Sequence, residues 1–183
     1  MKNAFIVWND AFTPGELDAI ETYGDRMVHQ RAEIAVKGAN DDDIRITRIA
    51  WLERNAETAA LYARLKQVVG RLNSEVYRFD VTDLEDIQYS VYDGAEGGHY
   101  GWHMDHGPHN ANPRKLSMSI QLTESSKYEG CDLQFQVSDK IGCAPRNRGA
   151  IIAFPSFVLH RVTPITSGVR KALVVWATGP EFR

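Results

Sequence analysis

After Asp80 the chain stops repeating every 3.6 residues and begins to alternate, and this change of period constrains the fold more than any single residue does. Short apolar or alternating runs follow at 86–92, 98–104, 115–123, 131–137, 149–154, 157–163 and 169–177. Turn-forming residues part them: Asp93-Gly94, Gly97-Gly98, Asn112-Pro113, Gly130, Pro145 to Gly149 and Ser167-Gly168. Alternation buries one face of a strand, and short strands with closely spaced turns build antiparallel sheets that pack on or close against each other.

The first 80 residues read differently. Thr13-Pro14-Gly15-Glu16 predicts a helix start, with Thr13 as cap, Pro14 in the first turn and Glu16 reaching back, and the helix running to about Val28. Residues 31 to 43 contain Gly38, Asn40 and three consecutive aspartates, which predicts a mobile loop. Ile44 to Leu52 alternates with one break in phase and predicts a strand. Asn55 is placed to cap a second helix, in which Leu61, Leu65, Val68, Val69, Leu72 and Val76 follow the helical period. Two helices and then seven or eight strands predict an α+β fold, a double-stranded β-helix (jelly-roll) core with the N-terminal helices packed on one sheet. No repeat or linker interrupts the 183 residues, so one domain is expected, with 1–85 as helical support and strands and 86–178 as the core.

Composition excludes several classes. A net charge of -3 offers no whole-molecule attraction to nucleic acid or to anionic lipid. No stretch approaches the roughly 20 apolar residues that cross a bilayer, and the N-terminus lacks the pattern of a secretory signal. Cys131 and Cys143 are too few for a disulfide framework or a cysteine-rich zinc site. The expected location is the cytoplasm, with free thiols.

The densest group of metal-ligating residues is His99-Tyr-Gly-Trp-His103-Met-Asp105-His106, with His109 close by. On a strand His103 and Asp105 share a face and His106 takes the other. Two imidazoles and one carboxylate suit Fe(II) and leave three coordination positions open. His160, at the end of the apolar run from Ile151, is the expected third ligand. His99, His106 and His109 are expected to be structural or solvent-facing, with His106 a candidate to touch substrate.

A histidine-x-aspartate pair alone is common, but the residues after His160 are more specific. His160-Arg-Val-Thr-Pro-Ile-Thr-Ser-Gly-Val-Arg170-Lys-Ala-Leu-Val-Val-Trp176, 55 residues beyond Asp105, resembles the C-terminal part of prolyl-4-hydroxylase-like 2-oxoglutarate/Fe(II) oxygenases. The resemblance runs from about Gln88 to Thr178. It implies Fe(II), with 2-oxoglutarate and O2 as co-substrates, and allows ascorbate as a reductant. It implies that Arg170, ten residues after the distal histidine, holds the C5 carboxylate of 2-oxoglutarate, for which a guanidinium is a matched bidentate donor. Period-two alternation puts Arg170, Ala172, Val174 and Trp176 on one strand face and Lys171 on the other. Tyr92, Tyr100 and Trp176 stand where the family carries aromatics near the co-substrate. Ser119 or Gln121 stands in place of a tyrosine that assists in holding the C5 carboxylate, each as a possible hydrogen-bond donor.

For substrate, the resemblance points to Arg45, Arg48 and Trp51, and to a lid formed by 106–114. The implied activity is hydroxylation with release of succinate and CO2. The substrate is a peptidyl residue such as proline, or a free amino acid or other small molecule. Two readings compete: a non-catalytic jelly-roll module that keeps the metal or another ligand, and a nucleic-acid dealkylase. The second would show another arginine six residues after the anchor, where this chain has Trp176. Oligomeric state is not legible.

Overall fold

The computed structural model describes residues 4–32, 41–107 and 113–182. In chain order it contains β1 (Ile6–Trp8), α1 (Pro14–Arg26), β2 (Gln30–Arg31), α2 (Asp41–Ile44), β3 (Arg45–Ile46), β4 (Arg48–Leu52) and α3 (Ala59–Leu72). Then follow β5 (Asp83–Leu84), β6 (Ile87–Asp93), β7 (His99–His103), β8 (Arg114–Gln121), β9 (Tyr128–Gly130) and β10 (Leu133–Val137). The last strands are β11 (Lys140–Cys143), β12 (Ile151–Pro155), β13 (His160–Val162) and β14 (Ile165–Thr178). The large sheet runs β1-β12-β8-β14-β6-β4-β2, and the small one runs β11-β10-β13-β7-β3. Among the described residues every pairing is antiparallel, as a jelly roll requires.

Alternation along the large sheet sends two sets of side chains in opposite directions. Leu116, Met118 and Ile120 of β8, Ile151 and Ala153 of β12, and Leu173 and Val175 of β14 pack under the helices with Leu17, Ile20, Leu65 and Val69. Ile152 and Phe154 of β12 turn the other way and meet Leu133, Phe135 and Val162 of the small sheet.

Helix α1 starts as its residues dictate. Thr13 N donates to Glu16 Oε2 at 2.7 Å, and Glu16 N donates to Thr13 Oγ1 at 3.3 Å, a complete capping box. Its buried Gly24 lies so close to Tyr89 that an added Cβ would stand 2.5 Å from the ring.

The second helix departs from expectation at both ends. Asn55 Oδ1 accepts from Glu57 N and Thr58 N, closing the turn before the helix, and Thr58 occupies the cap position. Tyr62 rather than Leu61 takes the buried place there, its hydroxyl donating to Leu52 O at 2.7 Å. Val76, expected on the apolar stripe, is 45% exposed because Asn73–Tyr77 forms a π turn that rotates it outward.

Three further expectations change. Of the loop placed at 31–43, residues 33–40 lie outside the described residues, while Asp41–Ile44 is a helical turn. The strand expected at 44–52 is two strands in different sheets, with the break in phase at Thr47: β3 pairs with β7 and β4 with β6. Ser167-Gly168 does not end a strand. β14 continues through Gly168, whose φ of +75° bends it from pairing with β9 to pairing with β6 and β8. Among the described residues no helix is long and apolar enough to cross a membrane.

Candidate active site

Both sheets line a cavity of about 540 Å³ that contains His103, Asp105, His160, Arg170, Tyr92 and Tyr100. His103 ends β7 and His160 opens β13, directly opposite each other in register. Asp105 lies beyond the strand, so strand alternation does not aim it. Instead Ser156 O, in the turn between β12 and β13, accepts from both Asp105 N and His106 N at 2.9 Å. The three ligand-type side chains converge, with donor atoms all within 4.8 Å of one another. Asp105 Oδ1 is 3.7 Å from His103 Nε2, and Oδ2 is 3.6 Å from His160 Nε2.

The surroundings prepare these groups as ligands. Gly101 O lies 2.8 Å from His103 Nδ1, and Val158 O lies 2.9 Å from His160 Nδ1. A carbonyl can only accept, so each Nδ1 carries a proton and each Nε2 is the ring nitrogen turned towards Asp105. Burial, reinforced by nearby His160, pushes His103 down to about 3, which keeps the imidazole neutral and able to bind metal. Burial works against the Asp105 carboxylate, but His160, His103, Ser117 and Trp176 outweigh it and hold its pKa below the usual range. The buried Trp176 Nε1 makes no hydrogen bond of normal length, yet its N–H still favours the ionised carboxylate. Tyr100 stacks on His103 with ring centres 3.5 Å apart and fixes its plane. Two imidazoles and one carboxylate at this spacing fit Fe(II).

Arg170 is 1% exposed. Gln121 Oε1 accepts from its Nε at 3.1 Å and Nη2 at 2.9 Å; Cys131 Sγ lies 3.9 Å from Nη1, and the Tyr92 ring centre is 5.4 Å away. Among the described residues it forms no ion pair. Ala172, Val174 and Trp176 share its face and line the cavity, whereas Lys171 turns outward to Glu21 and Asp25 of α1.

The remaining candidates divide. Ser119, Arg45 and Trp51 line the cavity. Gln121 stands behind Arg170 and acts on it as an acceptor, not as the donor its sequence position suggests. Arg48 is held at the surface by Glu96 and Asp93, away from the cavity. His99 and His106 also lie off it, with Nδ1 near Gly97 O and Arg114 O respectively. His109 and most of the proposed lid, 108–112, lie outside the described residues.

Sequence reasoning missed three residues: Ser117, Ser156 and Cys131. Period-two spacing from Ser119 would have found Ser117. Ser156 and Cys131 reach the site through turns that carry no local signal.

Residues 87–178 match the family model of the 2OG-Fe(II) oxygenase superfamily. The chain belongs to that superfamily. It is 41% identical over 80 residues to a PKHD-type hydroxylase of Synechococcus sp. strain CC9902, covering 44% of this chain and 36% of that protein. With a PKHD-type hydroxylase of Parvibaculum lavamentivorans it is 28% identical over 134 residues, 72% of this chain and 61% of that protein. The chain thus spans less than two thirds of either relative.

The fold is that of a Pseudomonas putida prolyl-4-hydroxylase, with TM-score 0.78 and 18% identity over 98% of this chain and 95% of that one. A Trichoplax adhaerens prolyl hydroxylase, solved with a hypoxia-inducible-factor peptide fragment, gives 0.76 at 20% identity, covering 97% of this chain and 84% of that one. These likenesses show the double-stranded β-helix fold.

Proposed function

We propose that this chain is an Fe(II)- and 2-oxoglutarate-dependent hydroxylase in which His103, Asp105 and His160 hold the metal and Arg170 anchors the co-substrate. One observation carries the reading: a buried guanidinium with no carboxylate partner among the described residues lines the cavity that contains the triad. Burying an unpaired cation is costly unless an anion arrives to meet it, and a purely structural metal site has no use for one. Bound iron, 2-oxoglutarate and O2 would supply oxidative decarboxylation to succinate and CO2, coupled to hydroxylation of the substrate.

The protein's own part is to orient and exclude. Tyr100 and the two carbonyl-bound imidazoles fix the ligand geometry, Gln121 fixes the guanidinium, and Phe154, Leu133 and Val162 keep water from that wall. Residues 86–178 carry the proposed metal ligands and Arg170, and 1–85 supply helical support and strands, with Arg45 and Trp51 on the cavity wall. The substrate is a peptidyl residue such as proline or a free amino acid or small molecule.

The test combines binding and turnover. Purified protein should take up one Mn(II) per chain, and His103→Ala or His160→Ala should abolish that uptake. With Fe(II) and ascorbate, succinate should form from 2-oxoglutarate in the presence of free amino acids or proline-containing peptides, and Asp105→Ala should stop it. Full metal stoichiometry in both histidine variants would overturn the ligand assignment, and stimulation by single-stranded nucleic acid alone would favour the dealkylase.

A further inference from the structure

We infer that Arg45 is a second anion anchor in this cavity and that the substrate presents a carboxylate to it. This inference rests on the hydroxylase reading and deepens it by naming the substrate's chemistry.

Arg45 belongs to β3, the edge strand of the small sheet, and pairs in register with Tyr100 of β7. Its side chain lines the cavity yet is only 8% exposed. The guanidinium lies 4.4 Å from the centre of the Tyr100 ring, which in turn lies 3.5 Å from that of His103. Arginine, phenol and imidazole therefore form one stack that ends on a proposed metal ligand.

The other arginines nearby have acceptors. Arg48 has Glu96 and Asp93, Arg114 has Glu85, and Arg161 has the Gln134 carbonyl oxygen at 2.8 Å. Arg45 forms no ion pair among the described residues, and its buried Nε has no hydrogen-bond partner. A π face beneath a guanidinium attracts it but accepts none of its in-plane N–H groups. A desolvated cation with an orphaned donor is costly, and an arriving carboxylate satisfies both the charge and the fork.

Arg170 does not make Arg45 redundant, because the two stand on opposite sheets. Arg170 is on β14 of the large sheet with Gln121 behind it, and Arg45 is on β3 of the small one. A dicarboxylate that reaches the triad with one end and Arg170 with the other leaves Arg45 to a different anion. That anion is the carboxylate of a free acid, or a terminal or side-chain carboxylate of a peptide, and not the neutral interior of a blocked peptide.

The test uses Mn(II)-loaded protein saturated with 2-oxoglutarate. Propionate and benzoate are titrated in alongside propionamide and benzamide, and Mn(II)-enhanced relaxation of the added molecule is followed by proton NMR. An acetylated proline-containing peptide is compared with free and amidated C-termini to separate the two sources of carboxylate. The acids should show saturable binding that the amides lack. Arg45→Gln should weaken that binding by about tenfold or more, and Arg45→Lys by less, with 2-oxoglutarate affinity unchanged in both.

Equal behaviour of acids and amides in the wild-type protein overturns the inference, whether or not the variants fold. So does undiminished acid binding in a folded Arg45→Gln. Loss of 2-oxoglutarate affinity in a folded Arg45→Lys would also overturn it, by moving Arg45 into the co-substrate site. A wild-type protein that binds Mn(II) but no 2-oxoglutarate would instead strike the hydroxylase reading itself.

Discussion

The two faces of the large sheet are made from the same strands and have opposite chemistry. Towards the helices, β8 and β14 present Leu116, Met118, Ile120, Leu173 and Val175. On the opposite face the same strands carry Ser117, Ser119, Gln121 and Arg170, all buried. Adjacent residues make the contrast sharpest: Arg170 is sequestered in the cavity, while Lys171 pairs with Glu21 and Asp25 on α1. A face that packs on helices gains stability from apolar area removed from water. A face that must hold ions accepts desolvation costs that the first face offsets. The sheet therefore separates stability from chemistry by a two-residue period.

The separation can be broken in order of expected effect. Ile120→Ala should destabilise the fold by about 2–5 kcal/mol through a cavity under the helices. Its 2-oxoglutarate affinity in calorimetry should stay within about twofold below the unfolding range, since no contact with the site is lost. A comparable loss of affinity and stability would show that the two faces are coupled.

Arg170→Ala should do the reverse. Losing a buried, charge-assisted fork weakens 2-oxoglutarate binding by roughly ten- to a thousand-fold, with Mn(II) affinity nearly unchanged. Thermal unfolding of the ligand-free variant should match or exceed wild type, because an unpaired buried cation is removed.

Gln121→Met keeps the volume and removes the acceptor that orients Arg170. The effect should be smaller, a loss of about two- to tenfold in 2-oxoglutarate affinity, of the size of one net hydrogen bond. An unchanged dissociation constant would show that the guanidinium is held by packing alone.

Lys171→Ala is expected to do least. Its ion pairs lie partly in solvent and should contribute no more than about 1 kcal/mol to stability, with no effect on co-substrate binding. A marked drop in affinity would mean that α1, through Lys171, positions its neighbour Arg170.

Local chemistry decided what the residues alone could reveal. The Thr13–Glu16 capping box, the apolar positions of α3 from Leu65 to Leu72, and the inward face of β14 follow from the neighbours along the chain, so each was legible. The break in phase at Thr47 was legible as a break, although not as a crossing between sheets. The metal triad was legible as residue types at characteristic spacings, but the contact that aims Asp105 was not. Ser156, 51 positions beyond Asp105, supplies the carbonyl that turns the carboxylate towards the two imidazoles.

Arg45 and Arg48 show the same boundary. They are three residues apart, identical in kind, and indistinguishable in the sequence as substrate contacts. Tertiary structure gives Arg48 the carboxylates of Glu96 and Asp93 in solvent, and lays Arg45 on Tyr100 inside the cavity with none among the described residues. The sequence by itself determined the periods, the caps and the set of ligand-type residues, because these depend on neighbours a few positions away. Which cation is neutralised and which waits for a ligand depends on residues some 50 positions distant, brought close only when the two sheets close on each other.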